Sequence, residues 1–287
     1  ITDYENGFAG RYFGSKSEVQ VITFQPTVSY AFNDKVSIGF GPTINRIDGT
    51  LESNLSITQA LPDGKVKIKG DDTALGYNVG LLVQATDTTR VGLTYHSKVD
   101  YKLEGKTRVS TPLIGPFNGN KFDATLKIKT PESVDLSVTH ELDDQWTLYA
   151  GSTWTRWSRL EEIRADNKGV GGLLAGALTS ISEPQNWHDT WAHAVGAAYK
   201  LNRRWTLRTG LAMDQSPTNN ADRSPRIPSG DRTILSLGAA WSPNEDMTVD
   251  LAYSYLMEDD ADIERDDYRS TYKNTAHGLG TQVTYRF

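Results

Sequence analysis

The sequence predicts an all-β protein, an antiparallel β-barrel whose outer face meets lipid, and three observations carry the prediction. Strand-length segments alternate apolar and polar residues along nearly the whole chain. Short polar turns and long charged or Gly/Pro-rich stretches succeed one another in regular alternation. Aromatic residues gather beside the short turns, at Tyr30, Phe32, Trp146, Tyr199, Trp205 and Trp241. Tight turns at one rim, long loops at the other and an aromatic girdle are the organisation of an outer-membrane barrel.

The segments justify this in order. In "VQVITFQPTVSYAF", Ile22, Phe24, Val28, Tyr30 and Phe32 share one strand face. In "VGLTYHSKVDYKL", strict alternation puts Val91, Leu93, Tyr95, Val99, Tyr101 and Leu103 together, with Thr94, His96, Lys98, Asp100 and Lys102 opposite. "WTLRTGLAMD" sets Trp205, Leu207, Leu211 and Met213 against Thr206, Arg208 and Asp214. "MTVDLAYSYLM" and the final "HGLGTQVTYRF" repeat the pattern. About eleven such segments are expected, several longer than the roughly 9–11 residues of a tilted membrane strand. The whole of residues 1–287 reads as one barrel domain. The short turns lie at "FNDKV", "TDTTR", "LDDQW", "LNRRW" and "SPNEDM". The stretches 51–73, 105–122, 159–186, 214–231 and 258–274 read as long, irregular outer loops. A soluble all-β protein would need a second apolar layer behind every strand, whereas lipid covers a barrel directly.

Composition removes other classes. The 287 residues include no cysteine, so thiol chemistry, disulfides and thiolate metal sites are out. A net charge of -6 argues against a nucleic-acid partner. A mean hydropathy of -0.50 and the lack of a long apolar run exclude membrane helices but not membrane strands. No enzyme chemistry, cofactor or metal is expected. His188 and Asp189 are adjacent and so point to opposite faces, His193 and His277 fall on the lipid-facing set, and His140 lies near a short turn. The acidic run "MEDDADIERDD" has carboxylates a calcium ion could use, but reads as a solvated outer loop.

Strand parity carries a further expectation. With the C-terminus on the short-turn side, backward tracing puts Ile1 on the long-loop side. An odd strand count then implies more strands, and a signal peptide, upstream. Tyr285 and Phe287 read as the terminal aromatic signal that barrels present to the assembly machinery.

The chain resembles the FadL-type outer-membrane transporters of long-chain fatty acids and other hydrophobic compounds. The resemblance is strongest in "WTLRTGLAMDQSPTNNADRSPRIPSGDRTILSLGAAW", where Asp214, Ser216, Pro217, Arg223, Ile227, Pro228, Asp231 and Arg232 fit the family pattern. "TPESVDLSVTHELDDQWTLYAGSTWTRWS" and "RVGLTYHSKVDYKLEG" add to it. The resemblance implies a 14-stranded barrel closed by an N-terminal hatch, capture of greasy molecules between outer loops, and lateral release at a kinked third strand. Hatch and kink would both precede this chain, whose "TDYENGFAGRYFG" is similar to the loop after that strand.

The ligand contacts expected are Leu113, Ile114 and Phe117 in "STPLIGPFNG", Leu51, Leu55 and Ile57 before them, and Leu173 and Leu174 in "GVGGLLAGALTSI". Asp214, Arg223, Arg226, Asp231 and Arg232 read as a network fixing one loop over the mouth. The family's basic partner for a carboxylate is replaced here by Glu183 or its neighbours, with Arg156, Arg159 or Arg164 as substitutes. Inward faces read as small and apolar at Ala192, Ala194, Gly196 and Ala198, and as charged from His96 to Lys102. The expected partners are hydrophobic small molecules, foremost fatty acids, with outer-membrane lipid or lipopolysaccharide around a monomeric barrel. The alternatives are an aromatic-hydrocarbon channel of the same family and a general diffusion porin.

Overall fold

The computed structural model describes residues 2–56, 62–111, 119–172, 175–265 and 268–286. The strands in chain order are β1 (Thr2–Asp3), β2 (Lys16–Phe24), β3 (Val28–Ala31), β4 (Val36–Leu55), β5 (Gly64–Gln84), β6 (Thr89–His96), β7 (Val99–Ser110), β8 (Lys121–Thr130), β9 (Ser133–Glu141), β10 (Trp146–Thr155) and β11 (Glu162–Lys168). After a single helical turn, α1 (Ala175–Leu178), come β12 (Ser180–Pro184), β13 (Thr190–Lys200), β14 (Trp205–Asp214), β15 (Arg232–Trp241), β16 (Met247–Glu258), β17 (Ala261–Arg265), β18 (Tyr268–Tyr272) and β19 (Thr275–Tyr285).

As expected from the alternation, every ladder is antiparallel. β2 and β3 act as one span against β4, and β4 pairs with β5 over its full length. β6–β7, β8–β9, β10–β11 and β12–β13 follow as four interrupted spans. β14, β15, β16 and β19 then continue the wall without a break. β17 and β18 form a separate hairpin at the long-loop end. Among the described residues β3 and β19 each pair on one side only, and every residue of β19 is exposed.

At the short-turn end four of the five turns share one construction. The side-chain oxygen of Asn33, Asp143, Asn202 or Asn244 accepts the backbone N–H groups two and three residues on. This is why an Asn or Asp opens each turn: its short side chain supplies the acceptor that the reversing backbone lacks. Above them the girdle aromatics meet in pairs, Tyr30–Phe32 at 5.1 Å, Trp146–Tyr199 at 4.7 Å and Trp205–Trp241 at 6.3 Å between ring centroids. Beyond the girdle the outward positions are apolar and exposed, for example Leu75, Leu93, Leu211, Leu237 and Leu251. In a membrane protein that exposure is to hydrocarbon.

The single-face reading of 91–103 is corrected by the structure. Asn78 of β5 faces His96, yet Asp71 faces Glu104. Seven steps along β5 therefore match eight on its neighbour, and the extra residue at Ser97–Lys98 is a bulge. One added residue turns each following side chain to the opposite face. Leu93 points outward, whereas Val99, Tyr101 and Leu103 are buried inside, and Asp100 and Lys102 face out. Of the charged set, His96 precedes the bulge and stays on the inward face, where it meets Asp135 at 3.2 Å, whereas Asp100 and Lys102 do not line the lumen. β8–β9 reverses in step at Pro131–Glu132, since His96 faces Ser133 and Val99 faces Thr130.

The irregular reading of 51–73, 105–122 and 159–186 is also corrected. Much of each stretch is strand, belonging to β4, β5, β7, β8, β11 and β12. "KVKIKGDD" (residues 65–72) alternates like any strand, but its outward residues are lysines because this part of the wall rises above the apolar band. Its inward residues build two clusters. One holds Ile47, Val99, Tyr101, Leu103, Leu126 and Ala165. The other holds Val66, Val109 and Leu178.

Candidate functional site

Inside the long-loop end lies a cavity of about 660 Å³, within the size range of small-molecule sites. Its aliphatic wall comes from inward positions of β2, β4, β5, β7, β8 and β11, among them Val19, Ile47, Leu51, Ile68, Leu103, Leu126, Ile128 and Ile163. The space exists because one row of the wall lacks side-chain bulk. Gly49 faces Gly70, Gly70 faces Gly105 and Gly105 faces Ala124, and all four line the cavity. A Cβ on Gly105 would fall on the carbonyl oxygen of Lys69, so that position admits glycine alone.

The opposite side of the cavity is polar and comes from the loop between β14 and β15 and from the end of β16. Arg226 donates Nε to Glu183 Oε2 at 3.0 Å. Its Nη1 donates to the carbonyls of Lys16 and Glu52 and to Ser17 Oγ, at 3.1–3.2 Å. One half-buried guanidinium therefore ties this loop to β2, β4 and β12. Arg232 donates Nε to Glu258 at 3.1 Å and Nη1 to Asp214 at 3.5 Å. Neither Nη2 has a hydrogen-bond partner among the described residues. Glu183 Oε1 is buried without a partner. Each guanidinium thus keeps donor capacity at a cavity that is otherwise greasy.

A ring cluster adjoins the cavity, which it reaches through Tyr4 and Tyr272. Tyr4 stacks on Phe8 at 4.0 Å, and Phe8 and Phe13 meet Tyr268 of the β17–β18 hairpin. Tyr4 Oη donates to the Pro225 carbonyl at 2.8 Å, and the hydroxyls of Tyr268 and Tyr272 lie 3.0 Å apart. Burial pushes the Tyr4 and Tyr272 hydroxyls up, which keeps them neutral.

Of the residues singled out in the sequence, Leu51 lines the cavity and Leu55 packs against the Val66–Val109–Leu178 cluster. Ile57, Leu113, Ile114, Phe117, Leu173, Leu174 and Phe287 lie outside the described residues. The five-residue loop network divides. Asp214 pairs with Arg232, and Asp231 accepts the Ser216 N–H. Arg223 bonds Thr218, Asn220 and the Asp262 carbonyl beneath the hairpin, and burial lowers its pKa. Only Arg226 and Arg232 of the five reach the cavity.

Arg156 and Arg159 clamp Glu132 beside the β8–β9 break, and Arg164 pairs with Asp166 on the outer surface. None of these three arginines lines the cavity. Tyr285 is exposed on β19. Among the described residues no group of three or more His, Asp or Glu side chains has the geometry to hold a metal. Ile47, Leu103, Leu126 and the small-residue row were missed in the sequence. The available signal was a glycine recurring at one level of successive strands.

An antiparallel wall with an apolar outer band, an aromatic girdle and an internal apolar cavity defines a membrane β-barrel of the transporter type. A family model described as outer membrane protein transport protein (OMPP1/FadL/TodX) matches residues 1–287. The chain belongs to this family of outer-membrane transporters. The long-chain fatty acid transport protein of Escherichia coli O6:H1 is 28% identical, over 100% of this chain and 71% of that protein. The 47 kDa outer membrane protein of Pasteurella multocida is also 28% identical, over 100% of the chain and 70% of that protein. The crystal structure of a Pseudomonas aeruginosa FadL homologue superposes with a TM-score of 0.87 at 25% identity, covering 99% of this chain and 71% of that one. The Ralstonia pickettii toluene transporter TbuX, at 18% identity and a TM-score of 0.69 over 98% of this chain and 73% of its own, shares the fold. The relatives are transport proteins, not enzymes.

Proposed function

We propose that this chain forms the wall and ligand cavity of a passive uptake channel for long-chain fatty acids. The long-loop end faces the exterior and the C-terminus the periplasm. The observation that carries the reading is the cavity itself, an aliphatic trough bounded on one side by Arg226 and Arg232. An alkyl chain against Leu103, Leu126 and Ile128 gains about 0.8 kcal/mol per buried CH₂. A carboxylate at the two Nη2 groups would find charge-assisted donors. Capture at Leu113, Ile114 and Phe117 precedes this step, and release sideways into the membrane follows it. The similarity to proteins named as long-chain fatty acid transporters supports the same substrate class.

Binding of a fluorescent long-chain fatty acid to the purified full-length protein tests the reading. Ala124→Phe points a ring into the cavity and should weaken binding tenfold or more, with the heat-modifiable folded form retained. Glucose permeation of liposomes should be negligible with or without the substitution. Toluene should compete poorly. Strong competition by toluene would move the substrate to aromatic hydrocarbons. Rapid glucose flux, with fatty acid binding unmoved by Ala124→Phe, would favour a diffusion porin.

A further inference from the structure

We propose that the outward face of β5, β7, β8 and β11 above the apolar band is a docking surface for the phosphate groups of the outer leaflet's glycolipid, a site that rests on the long-loop end facing outward. The chain is acidic overall, with a net charge of -6. On the exposed outward positions of residues 65–73 and of β7, β8 and β11, however, eleven side chains are basic and six acidic.

Their arrangement is the stronger point. Lys67 lies directly across from Arg108, and Arg108 from Lys121. Nearer the membrane, Lys102 lies across from Lys127, and Lys127 from Arg164. Neighbouring strands are about 4.8 Å apart, so each row concentrates three positive charges within ~10 Å. Like charges placed directly opposite destabilise a sheet. Arg108, Lys121 and Lys127 have no ion pair among the described residues.

The inward sides of these strands already hold the apolar clusters. Lys67, Lys102 and Arg164 meet Glu52, Glu104 and Asp166, whereas Arg108, Lys121 and Lys127 are left facing those cations and oppose strand pairing. A wall that tolerates two such rows is matched to an anion supplied from outside. The lower row selects which anion. Glu104 faces Asp71, so Lys102 stands level with Thr73, two residues or about 7 Å beyond lipid-facing Leu75. That is the depth of headgroup phosphates. The upper row is eight residues or about 26 Å beyond Leu75 along the strand, at the level of phosphorylated sugars carried on the headgroup. Arginine adds bidentate donation to phosphate and lysine adds point charge.

The test uses the full-length protein in a neutral detergent with three probes: lipopolysaccharide, the same glycolipid after phosphatase treatment, and phosphatidylglycerol. Lys102→Gln/Lys127→Gln/Arg164→Gln is compared with Arg203→Gln/Arg204→Gln in a short turn. A basic residue near an anionic membrane surface contributes about fivefold to binding, so the row variant should bind lipopolysaccharide about a hundredfold more weakly. The turn variant should bind like the unmodified protein. Without lipid the row variant should melt at the same or a higher temperature, since repulsion is relieved. Equal binding by the row variant, or equal binding of the dephosphorylated glycolipid or of phosphatidylglycerol by the unmodified protein, overturns the proposal. Fatty acid binding in the cavity should be unchanged in both variants. Surface labelling of Asn219→Cys in intact cells separates the two readings. Labelled cells with no glycolipid binding overturn the docking surface alone, whereas protection of the cysteine overturns the orientation on which it rests.

Discussion

The wall below the β6–β7 bulge and the wall above it are built from the same strands and solve opposite problems. Below, Leu81, Leu93 and Leu136 point out and small residues such as Gly80 and Gly92 point in. Above, Lys67, Lys102 and Lys127 point out while Val66, Tyr101 and Leu126 point in. Lipid covers the lower wall, and the upper wall must make its own core. The difference teaches that one strand can serve two solvents if its face assignment is switched midway. β5 achieves this by sequence alone, exchanging Leu75 and Tyr77 for Lys67 and Lys69 on one face. β6–β7 keeps its apolar residues at odd positions throughout and switches the backbone instead.

The contrast can be broken most severely at the bulge. Removing Lys98 restores strict alternation and turns Val99, Tyr101 and Leu103 outward. At about 1.5–3 kcal/mol for each apolar side chain re-exposed, the loss should be on the order of 5 kcal/mol or more. It should appear as disappearance of the heat-modifiable form on gels. Removal of a residue that left the fold intact would deny the bulge its role.

Next in size is Arg226→Ala, which leaves Glu183 buried without its partner and releases β2 and β4 from the loop. The expected loss is on the order of 3 kcal/mol in urea unfolding. Arg226→Met combined with Glu183→Leu should recover part of it, because no lone charge remains.

A matched pair of substitutions sharpens the comparison between zones. Leu237→Arg on the apolar band should cost about 2–4 kcal/mol in lipid vesicles. Lys121→Leu on the upper wall should change stability by less than about 0.5 kcal/mol. Similar costs at both positions would mean that the two zones do not differ in solvent.

Acid should act on the upper wall first. The hydrogen bonds from Arg159 hold the Glu132 carboxyl down to about 2, well below its ordinary value. Burial opposes ionisation of Glu52, but Lys65 and Lys67 more than offset it and its pKa is lowered. Arg11 lowers that of Asp63. A carboxyl depressed in the folded state stabilises it above the ordinary carboxylate pKa, and that contribution is lost as pH falls through the folded value. Fluorescence of Trp157, beside Arg156 and Arg159, should therefore change between about pH 4.5 and 2, before the girdle tryptophans respond.

The smallest effect belongs to the turns. Asn202→Ala removes an acceptor from two backbone N–H groups at an exposed site and should cost about 1 kcal/mol.

How much of this was legible depended on which solvent each residue faces. The lower wall was readable because lipid demands one apolar face, so Leu207, Leu211 and Met213 announce themselves. The upper strands were hidden by their lysines, which made 65–73 look like loop although its period of two was intact. The reversal at Ser97–Lys98 was invisible because a single extra residue leaves local alternation undisturbed. The cavity was hidden for another reason. Gly49, Gly70, Gly105 and Ala124 lie far apart in the chain, and only register aligns them. Arg226 and Arg232 were noticed but read as loop fasteners, since sequence does not reveal which side of a loop faces the lumen.

The four Asx turns reach beyond stability. Each one closes within four residues, and a hairpin anchored so locally forms on a time scale of about 1–10 μs. Pairings such as β10 with β13, separated by the long excursion through α1, must instead await a slow search for distant partners. The short-turn rim thereby sets a schedule. Local closure favours β3–β4, β9–β10, β13–β14 and β15–β16 as the first pairs to form, an order that pulse-labelling during refolding would test.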